Sequence, residues 1–210
     1  MSESSTQADS SQRLLAICGI VGHILYAIVL IILGFLEPGY NHATQSMSEL
    51  GAVGARHAII MNTAGFPLLG ILIIAFALGL DRGIRDGKEA KTGPALVTVS
   101  GAALVMTGIF RCDPGCVDVT TVGITHSVFA VIAAFAMLLA PLAISPRLKR
   151  DNRWKSYLAY SVATVVVALL VSAVYGFNVF EPWKGALQRI SMGVPLIWVE
   201  VMAVKLLRLS

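Results

Sequence analysis

Apolar residues in this chain gather in long blocks separated by short polar stretches. Six blocks run from Leu14 to Leu36, Ala58 to Leu80, Gly93 to Phe110, Val122 to Ile144, Ser156 to Phe180 and Ile190 to Leu207. A helix needs about 20 apolar residues to cross a hydrocarbon layer about 30 Å thick, and each block comes near that length. The pattern predicts an all-α polytopic membrane protein, with six transmembrane helices in one bundle. The leading MSESSTQADSSQ is polar and Ser-rich, so residues 1–12 read as a disordered cytoplasmic tail. Residues 13–210 read as one transmembrane domain. The first block is longer than a signal-peptide core and no A-x-A-like cleavage site follows it, which makes it a retained span.

Composition agrees with lipid as the main solvent. The chain is 56% hydrophobic and 13% charged, with mean hydropathy +0.77. Soluble domains carry about 25% charged residues. Six spans use most of the 210 residues and leave no room for a separate soluble domain.

Charge sets an expected orientation, because Lys and Arg in short loops favour the cytoplasmic side. With the N-terminus inside, that side holds Arg13, Arg82, Arg85, Lys88, Lys91, Arg147, Lys149, Arg150, Arg153, Lys155, Lys205 and Arg208. The other side holds Arg56, Arg111, Lys184 and Arg189. An even number of spans places both termini in the cytoplasm, and the predicted location is a prokaryotic inner membrane. The formal charge of +4 is then a topology signal. A nucleic-acid surface would need a clustered basic face on a soluble domain, so no nucleic-acid partner is expected. The RLKRDNRWK loop fits ordinary positive-inside bias, with anionic headgroups as an additional contact.

Small residues crowd the third span (Gly93, Ala95, Ser100, Gly101, Ala102, Ala103, Thr107, Gly108). They let helix backbones approach closely in lipid, which predicts a central position. Pro67 and Pro141 should bend the second and fourth spans, as ordinary membrane-helix prolines do.

Polar residues that composition leaves unexplained lie mostly toward the outer ends. Ser46 and Glu49 have the S-x-x-E spacing of a capping box, which predicts a short helix starting after Ser46. Glu49 then either caps that helix or, with Ser48, faces a cavity. Cys112 and Cys116 flank a D-P-G turn. A structural disulfide is the favoured reading in an oxidising compartment, ahead of a redox-active pair or metal ligation with Asp113. His126, Asn62, Gln188, Arg189, Asp113 and Arg111 fall at one level on four spans or their adjoining loops. Taken singly, each has an ordinary role such as snorkelling or bonding a neighbouring helix. Taken together they suggest an outward-facing polar vestibule. His23 and Glu200 lie deeper, in the inner half of the bilayer; they could pair as a proton relay if the first and sixth spans are neighbours, but the favoured reading is that Glu200 reaches inner-face water or Lys205. Cys18 is read as a packing residue.

Several of these segments carry a resemblance. SMSELGAVGA in the first outer loop, G-I-F-R-C-D-P after the third span, T-H-S in the fourth and L-Q-R-I opening the sixth resemble the six-span prokaryotic membrane family catalogued as domain of unknown function 998. The resemblance implies six helices and landmark positions at Ser48, Glu49, Asp113, His126, Gln188 and Arg189. It implies no activity. A weaker likeness is to the alkaline-ceramidase-like membrane hydrolases, onto whose Ser–Asp–His scheme Ser48, Asp113 and His126 would map. That scheme needs a histidine cluster around zinc, and only His126 is well placed. No metal and no cofactor is expected.

Three function classes follow. The first is an enzyme acting on a lipid or other amphipathic molecule at the outer leaflet. Glu49, Asp113 and His126 would be its acid, base or ligand groups, and Ser48, Asn62, Arg111, Gln188 and Arg189 would contact substrate. The second is a small transporter, although the span centres are plain Ala, Val, Leu and Ile. The third is a non-catalytic accessory subunit. Oligomeric state is not predicted, and phosphate-loop, dinucleotide, H-E-x-x-H, haem-type C-x-x-C-H and G-x-S-x-G patterns do not occur.

Overall fold

The structure, a computed structural model, describes residues 2–84, 91–177 and 179–210, the side chains of residues 2–8 and 181 excepted. Six long helices carry the chain: α1 (Ser2–Leu36), α2 (Ala58–Gly83), α3 (Thr92–Ile109), α4 (Thr121–Ala143), α5 (Leu158–Gly176) and α6 (Lys184–Leu209). All six are long and apolar enough to cross a membrane, and no strand occurs among the described residues. The chain is a multi-pass helical membrane protein. Arg85 and Lys88, which contribute to the charge asymmetry, lie outside the described residues.

Backbone hydrogen bonding rather than hydropathy sets the helix ends. Helix α1 runs back to Ser2, through the leader that its composition reads as disordered. Helix α5 stops at Gly176, so Phe177, Val179 and Phe180 belong to the following loop, where they are exposed. Helix α6 begins at Lys184, before its apolar block. The added turn and a half carries Gly185, Gln188 and Arg189.

The helices form a ring of neighbours in chain order, closed by contact between α1 and α6. The seam between α4 and the α5–α6 pair is the loosest in that ring. Helix α3 is gripped between α2 and α4, so its small residues serve close pairwise packing, and it takes a place in the ring rather than the central position they predict. A Cβ added at Gly70 of α2 would lie 2.4 Å from the Gly101 carbonyl oxygen, and one added at Gly101 would lie 2.6 Å from that of Gly70. The backbones therefore touch, which only glycine permits. Packing of this kind and interhelical hydrogen bonds replace the hydrophobic drive in lipid. Ser100 Oγ donates to the Ala133 carbonyl at 2.8 Å, and Trp198 Nε1 donates to Ser161 Oγ at 2.9 Å.

Pro67 has no N–H to give to the preceding turn. The chain widens just before it into a π-turn over Met61–Gly65, the kind of irregularity that re-aims side chains. Asn62 is buried there. Pro141 lies two residues from the end of α4, and a short helix, Ser145–Arg150, follows.

The end of the bundle that carries both chain termini is tied by charge. Arg147 is 1% exposed and donates to Asp81 Oδ1 at 2.6 Å and to the carbonyls of Asp81 and Ile84 at 2.6 and 2.5 Å. Its fork thus caps the C-terminal end of α2. The Asp151 carboxylate accepts from Arg153, and Trp154 is fully buried beside them. The basic loop is therefore a packed structural element as well as a charge signal. Helices α1 and α6 are neighbours, and His23 Nδ1 lies 3.1 Å from Glu200 Oε2, so Glu200 meets His23, where the sequence favours inner-face water or Lys205 as its partner.

Candidate functional site

At the opposite end, residues 37–57 fold over the bundle as a cap. The SMSEL segment forms a 3-10 turn over Met47–Gly51, starting after Ser46 as its spacing predicts. Glu49 takes the capping role: Oε1 accepts from the Ser46 amide and Oε2 from Gln45 Nε2, both at 2.8 Å. Ser46 Oγ is buried with no hydrogen-bond partner.

The first turns of α6 hold this cap down. Arg189 Nη1 donates to the carbonyls of His42 at 2.7 Å, Gln45 at 3.0 Å and Gly185 at 2.8 Å, while Nη2 donates to the Tyr40 hydroxyl. The same guanidinium and burial hold the His42 imidazole below its ordinary pKa, burial being the larger cause. Gln188 Oε1 accepts from the Met47 amide at 2.7 Å, and the Ala186 amide donates to the Ala43 carbonyl at 2.9 Å. A Cβ at Gly185 would sit 2.2 Å from the Gln45 carbonyl oxygen, so the cap rests directly on that glycine. From α2, Asn62 Nδ2 donates to the Gly51 carbonyl at 2.6 Å.

The short loop after α3 braces the cap from the side. Cys112 and Cys116 form a disulfide, and the Val53 amide of the cap donates to the Cys112 carbonyl at 3.0 Å. D-P-G makes the expected turn: the Cys116 amide donates to the Asp113 carbonyl at 2.8 Å, and Gly115 takes φ +67°. The Asp113 carboxylate accepts from the Thr120 amide at 2.8 Å, Thr120 Oγ1 at 2.8 Å and the Val119 amide at 2.9 Å. These bonds, the Thr120 amide first, hold its pKa below the ordinary 3.8. Asp113 thereby fixes the entry to α4, where a Cβ at Gly123 would meet its Oδ2 at 2.1 Å. His126 is 3% exposed. Its Nδ1 lies 2.9 Å from the Thr107 carbonyl and 2.7 Å from that of Phe110, both at the end of α3, and its Nε2 is buried without a partner. Arg111 is exposed.

Beneath the cap, the loose seam opens into a groove of about 290 Å³. Phe66, Leu104, Ala134 and Leu138 give it apolar walls, Met47 and Ser48 roof it, and Met192 lies across from α4. Val131 and Phe135, 54% and 59% exposed, form the rim that faces away from the bundle. Its polar groups are Thr107, Ser172, Tyr175, Gln188, Ser191 and the roof residue Ser48. Ser172 Oγ and Ser191 Oγ are 2.7 Å apart and hydrogen-bonded.

Two of the residues singled out from the sequence, Ser48 and Gln188, line this groove. Glu49, Asn62, Asp113 and Arg189 anchor the cap and its neighbouring loop, His126 ties α4 to the end of α3, and none of the five reaches the groove lining. Ser172, Tyr175 and Ser191 escaped the sequence reading. Their signal was present: 172 and 175, like 188 and 191, are i, i+3 polar pairs on one helical face, at the facing ends of consecutive helices.

A family model described as "Protein of unknown function (DUF998)" matches residues 20–205. The chain belongs to the DUF998 family. No curated protein and no solved structure matches it. In this DUF998 chain, the matched region contains the whole cap and groove, four spans entire and parts of the first and sixth. Among the described residues, no three His, Cys, Asp or Glu side chains come together to hold a metal ion. The third ligand that a zinc site of the Asp113–His126 type requires is therefore missing from the described residues.

Proposed function

We propose that this DUF998 protein binds an amphipathic, membrane-resident molecule. Its tail would enter the groove sideways from the bilayer and its polar end would lie under the cap. One observation carries the reading: an apolar groove whose rim faces the lipid-exposed side of α4 and whose lining holds only a few polar groups, Ser48 and Gln188 under the cap and the Ser172–Ser191 pair about one helical turn further along. Such concave, mostly apolar sites with a few placed polar groups are the usual form of ligand pockets. In this reading the cap faces the outside of a prokaryotic inner membrane and both termini are cytoplasmic. The three-to-one bias of basic residues and a disulfide that needs an oxidising compartment support that orientation.

Holding is favoured over acid–base chemistry because Glu49, Asp113 and Arg189 are engaged elsewhere and none of them, nor His126, lines the groove. Both oxygens of Glu49 and both of Asp113 accept hydrogen bonds, and the Arg189 fork is spent on carbonyls and Tyr40. Holding is favoured over passage across the membrane because Leu69, Ile73, Phe76 and Trp198 are almost wholly buried in one packed core. The test is photolabelling in membranes with an alkyl chain bearing a mid-chain diazirine. Adducts on α4 and α6 residues of the groove, suppressed by Ala134→Trp, are expected. Labelling confined to the outer faces of α1 or α2, or unaffected by Ala134→Trp, would overturn the reading.

A further inference from the structure

The groove is lined by sixteen residues, and none of them is charged. This is notable at the end of the bundle where Glu49, Asp113, His126 and Arg189 all lie close by. Each is turned elsewhere: Arg189 onto the carbonyls of His42 and Gln45, Glu49 onto the Ser46 amide, Asp113 onto Thr120, and His126 onto the backbone carbonyls of Thr107 and Phe110. What faces the groove is a set of neutral donors and acceptors. The Ser172–Ser191 pair shares one hydrogen bond and keeps hydroxyl capacity over. Gln188 spends its carbonyl oxygen on Met47 and its side chain hydrogen-bonds the Tyr175 hydroxyl, so the two present the remaining amide and hydroxyl capacity to the groove.

We infer that the occupant is an amphiphile with an uncharged hydroxyl, ester or amide head. The inference rests on the binding reading above and adds the chemical class. A carboxylate or phosphate carried into this groove would lose hydration with no cation to replace it, and burying an unpaired charge is far more costly than burying a neutral group that finds hydrogen bonds. A phospholipid is disfavoured for the same reason, since its phosphate would meet no cation among the lining residues.

The test is competition against the diazirine probe in membranes by decanol, decanoamide, decanoate, decyl phosphate and a dioleoyl phospholipid, compared at equal bilayer concentration and pH 8. Decanol and decanoamide should displace the probe at least about tenfold better than the two anions, and the phospholipid should not displace it. The double variant Ser172→Ala/Ser191→Ala, which leaves the cap anchors in place, should bring decanol down toward the potency of decane. Equal displacement by the anions, or full displacement by the phospholipid, would overturn the assignment of an uncharged head while leaving the binding reading standing. Absence of labelling in the groove removes both.

Discussion

Replacing Arg189 with alanine should release the cap while leaving the helices standing. The side chain gives two charge-assisted bonds to cap carbonyls, His42 at 2.7 Å and Gln45 at 3.0 Å, and another to Tyr40. Bonds to charged groups contribute about 1.5–3 kcal/mol each. Arg189 is only partly buried, so the low end applies, and the two carbonyl bonds sum to about 3 kcal/mol of cap stability. Native-state amide exchange reads this directly, because local opening has its own free energy. The Met47 amide, bonded to Gln188, and the Ala186 amide, bonded to Ala43, should exchange about 100-fold faster, taking 1.36 kcal/mol per tenfold. Amides in the middle of α2 and α3 should not change. Arg189→Lys keeps the charge and loses the planar fork, so it should fall between. Unchanged exchange at Met47, or an equal increase throughout the bundle, would refute the view that Arg189 acts locally on the cap.

Other outcomes follow from the same geometry. Removing the Cys112–Cys116 bridge, whose sequence separation is 4, should cost about 2 kcal/mol, the closure entropy of so short a loop. Thermal unfolding of the double alanine variant in detergent measures it. Gly70→Ala should destabilise by about 1–3 kcal/mol, because the new methyl meets the Gly101 carbonyl oxygen at 2.4 Å and backbone cannot yield. The same assay should show a loss, and an unchanged midpoint would contradict the close crossing. Asp113 has a folded-state pKa below its unfolded one. Its contribution is therefore complete above the unfolded value of about 3.9 and is lost as pH falls through the folded value. Melting points should decline as the pH falls below about 4, and Asp113→Asn should be less stable at neutral pH with a flatter acid limb.

Hydropathy was enough to place all six spans, because lipid demands long apolar helices and little else imitates them. Local chemistry was legible too: the S-x-x-E turn at Ser46–Glu49, the D-P-G turn and the pairing of its cysteines, and the depth match between His23 and Glu200. Direction was not. Asp113, His126 and Arg189 lie toward the same end of the bundle, but that says nothing about where a side chain turns, and each turns to a backbone group. An ordered cap over a bundle exposes many carbonyls and amides that must be satisfied, and the polar residues at that end are used for it. The groove itself was hidden because its walls are alanine, leucine and serine, which read as ordinary span. The structural part played by Arg147 was equally invisible inside a run of cations that charge bias already explains.

The central claim is that the seam between α4 and α5–α6 is open to lipid and closed to water. A spin label at Ala134→Cys, in a Cys18→Ser background with the disulfide intact, tests it by collision with oxygen and with a water-soluble nickel chelate. The account predicts strong relaxation by oxygen, little by the chelate, and a fall in the oxygen effect when decanol is added. Accessibility to the chelate, or a label as shielded from oxygen as one at the buried Ala103, would contradict it.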